Sequence, residues 1–191
     1  MRRTVLLAVL SALALAGCVA PPADSAPSAP APASTGFNET DVMFLQMMVP
    51  HHHQGIAIVR LAAERADRPE VTILAAAIES TQTSEAAEMA QWLQNWSQPA
   101  TADPAAHAAH GGMPGTSEAE ISQLRGVTGA EFERVFLNMM IAHQDDAVQL
   151  ARMEVAGGVN APARDFAQRI DQSRTAQINQ MLTLLDTTPA A

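Results

Sequence analysis

The sequence predicts an all-α fold, a four-helix bundle built from two copies of one helical hairpin. Aromatic residues make up only 4% of the chain while Ala and Leu are abundant, which favours helices over strands. The chain also matches itself without a gap at a shift of 92 residues, which places Phe44 on Phe136 and His51 on His143. Within each copy the apolar residues recur at helical spacing. Because 48% of its 191 residues are hydrophobic, the chain is long enough for one domain with a real core.

The chain begins with the features of an exported lipoprotein. Arg2 and Arg3 precede an apolar run, Val5–Leu15, that is too short to span a bilayer as a stable anchor. The run leads into Leu-Ala-Gly-Cys, which looks like a bacterial lipobox and ends at Cys18, the only cysteine of the chain. We therefore expect residues 1–17 to be a lipoprotein signal peptide and Cys18 to carry the lipid that anchors the protein to the cell envelope. An ordinary secretory signal with an incidental cysteine is the alternative.

The boundaries of the predicted domain follow from composition. Residues 18–37 are rich in Pro, Ala and Ser and have no hydrophobic period, which predicts an extended tether after the lipidated cysteine. The duplicated bundle is predicted over residues 38–186, with a loop at 98–127 between its halves. Residues 187–191 form a short tail.

Capping signals and breakers predict the helices of the first half. Asn38 opens a capping box that ends at Asp41, and the helix it starts runs to about Ala66. Pro69 is suited to the first turn of the second helix, which ends before Pro99.

The second half repeats this pattern. A helix begins near Thr128 or Gly129 and ends at the glycine pair that starts at Gly157. Another helix extends from about Pro162 to Asp186. In the loop between the halves, residues Ser117 to Leu124 have the pattern of a short capped helix.

The motif Met-Met-x-x-His places sulfur and imidazole on one helix face. Met47 and Met48 precede His51 by one helical turn, and His52 lies one turn after Met48. His51 falls on the apolar stripe and is predicted to face the interior, whereas His53 points to solvent. The second copy repeats the motif at Met140 and His143, and equivalent positions near a pseudo-twofold axis can approach one another.

These residue types suit a soft metal ion. Thioether sulfur with imidazole is a ligand set for Cu(I) and, by the same softness, Ag(I). Iron bundles need Glu-x-x-His on facing helices, a pattern that the chain lacks. The candidate metal ligands are Met47, Met48, His51, His52, Met140 and His143.

Two alternatives apply to these residues. Methionines at helical spacing are most often core filler, the role that we assign to Met43, Met89 and Met181. A lone histidine on an apolar face, such as His143, is often held by structural contacts instead of binding an ion.

Two further groups of polar residues attract attention. His107, His110 and Met113 form a possible auxiliary copper site in the loop, or an ordinary polar loop. Glu85 interrupts the apolar stripe of its helix and is predicted to pair with Arg174 across the pseudo-axis, since a lone buried charge is costly. A role for Glu85 as a metal ligand or as the partner of one is the alternative.

The motif FLQMMVPHHHQGI with its second copy FLNMMIAHQDDAV resembles the domain-of-unknown-function family numbered 305. The resemblance extends over roughly Asn38 to Asp186. It implies a ferritin-like helical bundle, commonly exported, in a family with members linked to copper binding and copper tolerance. The family's His-His pair falls on His51 and His52 in the first copy, but Gln144 replaces its second histidine in the second copy. The second half is therefore expected to be mostly structural.

The leading functional hypothesis is an envelope-anchored protein that binds copper, as Cu(I), for sequestration or delivery. A metal donor or acceptor protein and a second copy of the chain are possible partners. The formal net charge of -9 argues against nucleic acid as a partner. A metal-free interaction module at the membrane is the alternative, and a metal-dependent redox enzyme is the less favoured one, because no catalytic constellation is recognisable.

Overall fold

The computed structural model describes residues 36–101 and 115–187, and all regular secondary structure in these ranges is helical. The helices are α1 (Glu39–Arg65), α2 (Pro69–Asn95), α3 (Glu118–Gly126), α4 (Gly129–Gly157) and α5 (Ala161–Asp186). The predicted all-α fold is confirmed, and the helices begin and end close to the predicted residues. The predicted signal peptide, most of the predicted tether and the candidates Cys18, His107, His110 and Met113 lie outside the described residues. None of the five helices has an apolar stretch long enough to cross a bilayer.

Local side-chain chemistry explains where three of these helices start. The side chain of Asn38 accepts a hydrogen bond from the backbone N–H of Asp41, and the Asp41 carboxylate accepts one from Asn38 N–H at 2.6 Å. Ser117 and Glu120 form the same reciprocal capping box at the start of α3. Such boxes satisfy backbone donors that the first turn of a helix leaves free. Asn160 caps α5 by accepting from Ala163 N–H at 3.1 Å.

The helices associate as two hairpins that meet along α1 and α4. Helix α1 packs along α2, α4 packs along α5, and the two hairpins contact each other mainly through α1 and α4. The short α3 packs against α4. Classification of this arrangement as a ferritin-like four-helix bundle stays a prediction.

Two apolar clusters form the core of the domain. One contains the first half of α1 and surrounds Phe44; its other members include Leu45, Met47, Met48, Met89, Leu150, Phe166 and Ile170. The other surrounds Phe136; its members include Ile58, Val71, Ile78, Leu124, Phe132, Met140 and Met181. We refer to them as the Phe44 cluster and the Phe136 cluster. Met89 and Met181 are fully buried in them, in the filler role that the sequence predicts.

The order of the clusters along the chain shows how the helices run. Helices α1 and α5 pass from the Phe44 cluster to the Phe136 cluster, and α2 and α4 pass in the opposite sense. Each hairpin is therefore antiparallel, and α1 runs antiparallel to α4. In all four long helices, the segment between the two clusters carries polar residues.

Equivalent residues of the two hairpins make equivalent contacts. Asp41 of α1 accepts hydrogen bonds from the backbone of Val159 and Asn160, in the turn between α4 and α5. At the same place in the other half, Glu133 of α4 accepts from the backbone of Asp67 and Arg68, in the turn between α1 and α2. Each hairpin thus holds the turn of the other through one buried carboxylate.

Candidate metal centre

A layer of polar side chains separates the two apolar clusters. Its members come from the middle of α1, α2, α4 and α5, and we call it the polar layer: His51, His52, Gln82, Glu85, His143, Gln144, Arg174 and Gln177. Burying so many polar groups between apolar clusters costs free energy unless they bind one another or a ligand. The hydrogen bonds of the layer therefore indicate which groups the protein itself satisfies.

The rings of His51 and His143 stack at the centre of this layer. Their centroids are 3.8 Å apart and their planes differ by 14°. The two residues occupy the same position in the repeated motif, and they are only 2% and 1% exposed. The sequence prediction that equivalent histidines approach one another across the pseudo-axis is confirmed, and so is the exposed position of His53.

Burial keeps both stacked rings neutral. Desolvation lowers the pKa of His51 well below its usual range, and the neighbouring His143 and His52 lower it further. Desolvation likewise lowers the pKa of His143 to about 4, with a smaller contribution from His52. A neutral imidazole has a free lone pair on one nitrogen, which is the form that binds metal ions.

Several ring nitrogens of the layer have no hydrogen-bond partner among the described residues. They are Nδ1 and Nε2 of His51, Nδ1 of His52 and Nε2 of His143. His143 Nδ1 lies 3.3 Å from Thr116 Oγ1, a residue of the segment before α3. A buried polar atom left without a partner costs about 1–3 kcal/mol. Groups of this kind call for an explanation, and a ligand that binds them is one.

His52 has a different environment from His51. Its Nε2 lies 2.8 Å from Oε2 of Glu85, and Arg174 donates a hydrogen bond to the same oxygen. The predicted Glu85–Arg174 pair is confirmed. Burial by itself would raise the pKa of Glu85, but His52 and the charge of Arg174 outweigh it and the net shift is downward. Glu85 is therefore ionised.

A neutral network takes the corresponding place in the second half. Gln144 is the counterpart of His52 at the 92-residue shift, and it donates a hydrogen bond to Gln177, the counterpart of Glu85. Gln82, the counterpart of Arg174, donates to Gln144 at 3.3 Å. The two halves therefore share one pattern of contacts, with a charged version around His52 and an amide version around Gln144.

A glycine in the motif allows His143 and Gln82 to approach the backbone of α1 closely. A side-chain carbon added at Gly55 would lie 2.8 Å from Nε2 of His143 and would collide with the amide oxygen of Gln82. Both of these atoms lack a partner among the described residues. The counterpart of Gly55 in the second half is Ala147, which carries the side-chain carbon that Gly55 lacks.

The candidate methionines flank the layer from both sides. Met47 and Met48 lie in the Phe44 cluster, one turn before the histidines of α1. Met140 lies in the Phe136 cluster, one turn before His143. All three are almost fully buried, which agrees with both the core role and the ligand role that the sequence allows. Within residues 36–101 and 115–187, no group of three or more His, Cys, Asp or Glu side chains is arranged to hold a metal ion.

Sequence reasoning overlooked Thr116, Gly55 and the role of Gln144 in this site. Thr116 reaches the layer because Gln54 binds its backbone through two hydrogen bonds, at 2.6 and 2.8 Å. No periodic pattern in the sequence predicts a contact between a helix side chain and the backbone of a distant loop. The contact between Gln144 and Gln177 could have been predicted, because the 92-residue shift aligns these residues with His52 and Glu85.

A family comparison assigns this architecture. The model of the family described as Domain of unknown function (DUF305) matches residues 41–185. The chain belongs to the DUF305 family. The matched segment contains both copies of the Met-Met-x-x-His motif and the whole polar layer.

Solved structures of DUF305 proteins share the fold. A candidate secreted DUF305 protein from Streptomyces coelicolor is 28% identical, with a TM-score of 0.72 over 77% of this chain and 92% of that one. A DUF305 fragment from Deinococcus radiodurans is 26% identical, with a TM-score of 0.68 over 78% and 97% of the two chains. CopM in its Cu(I)-bound form is 27% identical, with a TM-score of 0.64 over 78% and 97%. CopM has also been solved with Cu(II) and with Ag bound. Among curated proteins, none matches this chain.

Proposed function

We propose that this DUF305 protein binds Cu(I), and by the same chemistry Ag(I), in the polar layer, and that it sequesters or delivers copper at the cell envelope. The observation that carries the proposal is the buried His51–His143 stack, whose nitrogens are neutral and largely without protein partners. Leaving these atoms unpaired lowers stability, and a bound ion would repay that cost.

The donor set fits a soft monovalent ion. The ligands that we propose are His51, His52, His143, Met47, Met48 and Met140. Imidazole nitrogen and thioether sulfur both suit Cu(I). Since the nitrogens concerned accept no hydrogen bond from the described residues, an ion that binds them displaces no protein donor. Hard ions prefer oxygen ligands, and the one carboxylate of the layer, Glu85, is already engaged by Arg174.

Relatives support the choice of metal and of compartment. CopM, whose structures contain Cu(I), Cu(II) or Ag, resembles this chain over most of its length. The resemblance to a candidate secreted protein from Streptomyces coelicolor supports export. We propose further that the domain is a ferritin-like four-helix bundle, anchored through a lipid on Cys18 and a tether at 18–37, and that His107, His110 and Met113 form an auxiliary capture site.

A competition titration of the full chain tests the proposed function. Cu(I) is titrated against a chromophoric chelator, with Zn(II) in parallel, for the wild type and the His51→Ala/His52→Ala variant. We expect the wild type to take up Cu(I) in preference to Zn(II), and the double variant to lose most of this uptake. His53→Ala is the matched control, because His53 is the exposed neighbour on the same helix and its loss should leave uptake unchanged.

Circular dichroism shows whether each variant remains folded, and a folded protein is required for the comparison. Absence of Cu(I) uptake by the wild type would overturn the proposal. Undiminished uptake by the folded double variant would move the site away from the polar layer.

A further inference from the structure

Glu85 and Arg174 both contact the ring of His52 in the polar layer. The Oε2 atom of Glu85 lies 2.8 Å from Nε2 of His52 and also accepts a hydrogen bond from Arg174. Arg174 Nη2 in turn lies 3.3 Å from the same ring nitrogen. The side chains of His52 and Arg174 are fully buried, and that of Glu85 is 15% exposed. The three groups therefore form one compact, almost dry network.

The hydrogen-bonding capacity of these groups decides which nitrogen carries the proton. An ionised carboxylate can only accept, and a guanidinium can only donate. The short contact to Glu85 requires Nε2 of His52 to be the donor. Arg174 Nη2 lies near this nitrogen because both groups donate to the same oxygen of Glu85. In the neutral ring the lone pair must lie on the other nitrogen, Nδ1, which is buried and has no partner in the described part of the chain.

We infer that Glu85, held in place by Arg174, is a positioning residue that presents Nδ1 of His52 as the metal-binding atom. The inference rests on the proposed function in taking His52 as a ligand. Histidines that bind metals commonly donate their other N–H to a carboxylate, which fixes both the tautomer and the ring orientation. Here the same oxygen anchors the ring and neutralises a buried arginine, so the network needs no further counter-charge.

The second half of the protein provides an internal comparison. Gln177 and Gln82 stand where Glu85 and Arg174 stand in the first half, and they surround Gln144. A glutamine amide both donates and accepts, so it imposes no direction on a neighbouring ring. Of the equivalent residues His52 and Gln144, only His52 is a histidine, and it is the one that the charged network surrounds.

This comparison supplies the variant for the test. Replacing Glu85 alone would leave Arg174 buried and unpaired, which is strongly destabilising. The double variant Glu85→Gln/Arg174→Gln instead copies the neutral arrangement that the other half of the same protein already contains. The matched control is Glu79→Gln/Arg60→Gln, which removes an exposed ion pair between α1 and α2, the helices that carry His52 and Glu85.

Nitrogen-15 NMR of the full chain reads the tautomer of His52 directly, first without metal and then with Ag(I) or Cu(I) added. In the metal-free wild type we expect the proton on Nε2. On addition of the ion, Nδ1 is expected to show the larger chemical-shift change. In the double variant we expect a mixture of tautomers and a roughly 10- to 100-fold weaker affinity for Cu(I), the usual effect of losing such a partner. The control variant should match the wild type in both respects.

The two readouts separate this inference from the proposed function. A metal-free wild type with the proton on Nδ1, or a metal-induced shift confined to Nε2, would overturn the role of Glu85 while leaving copper binding intact. A folded double variant with wild-type tautomer and affinity would overturn it as well. If the wild type binds no Cu(I), the proposed function fails, and the metal-binding part of the inference fails with it.

Discussion

His51 and His143 occupy the same position in the two hairpins and stack with their ring centroids 3.8 Å apart. The contact joins the two halves of the domain at the level where both apolar clusters end. Because both rings are buried and neutral, the pair adds no charge to the interior, but it leaves ring nitrogens without partners among the described residues. Such unpaired buried nitrogens indicate a binding site, because a bound ion would satisfy them.

His51→Leu tests whether the stacked pair is built for binding or for stability. The variant replaces two unpartnered ring nitrogens with an apolar side chain of similar size. We expect the free energy of unfolding to stay unchanged or to rise by about 1 kcal/mol, since an unsatisfied buried polar group is removed. Cu(I) uptake should fall at the same time. Chemical denaturation measures the stability, and a loss of several kcal/mol would contradict the account.

Gly55→Ala tests the close approach of His143 and Gln82 to the backbone of α1. The added carbon would press on Nε2 of His143 and on the amide of Gln82, so we expect a loss of about 1–3 kcal/mol from overpacking and weaker Cu(I) binding. Gly126→Ala is the control, because the same carbon at Gly126 meets nothing within 4 Å. Thermal melting compares the two variants. Equal melting temperatures would show that the layer can accommodate the extra carbon.

The buried carboxylates of Asp41 and Glu133, each of which binds the turn of the other hairpin, are expected to contribute more to stability than surface ion pairs do. Glu133→Ala removes three hydrogen bonds to the backbone and side chains of the α1–α2 turn, including the one from Arg68 Nε at 2.6 Å. Hydrogen bonds to charged groups are each worth about 1.5–3 kcal/mol, so a loss of at least about 3 kcal/mol is expected. Glu79→Ala, which breaks an exposed pair, should cost no more than about 1 kcal/mol. Urea denaturation gives both values, and similar losses would argue against the anchoring role of Glu133.

Glu154 is expected to make stability fall as pH rises. Its carboxyl group is buried beside the carboxylate of Asp41, where Gly158 leaves room for both. Burial and then Asp41 raise the pKa of Glu154 from 4.5 to about 8. Between these values the folded state holds a proton that the unfolded state has released, so stability decreases with pH and levels off above about pH 8.

Glu154→Gln keeps a donor toward Asp41 and removes the titration. The variant should therefore show a flatter stability profile between about pH 4.5 and 8, and it should exceed the wild type in stability at pH 9. Urea midpoints measured across this range are the appropriate data. Parallel profiles for the two proteins would mean that Glu154 is ionised in the folded state throughout.

Much of the fold could be predicted from local patterns. Steps of 100° per residue place His51 inward and His53 outward, and the structure has both in those positions. Capping residues and glycines predicted the helix ends, because they act on the backbone within one turn. The Glu85–Arg174 pair was predictable since two opposite charges on apolar stripes of a small domain have few other ways to avoid isolation.

The rest of the site depends on contacts that no local pattern encodes. Thr116 reaches His143 only because Gln54 binds a segment that is distant in sequence. The stacking of His51 on His143 needs the separation and rotation of α1 against α4, which the size of the intervening side chains sets. The need for a glycine at position 55 likewise depends on Gln82 and His143, which approach it from two other helices.

Anomalous diffraction from crystals of the Ag(I)- or Cu(I)-loaded protein would locate the bound ion and so test whether the polar layer is the metal site. We expect an anomalous peak in the polar layer, within bonding distance of imidazole nitrogens from His51, His52 or His143. A loaded protein whose peaks all lie elsewhere, for example at His107, His110 and Met113, would contradict this expectation.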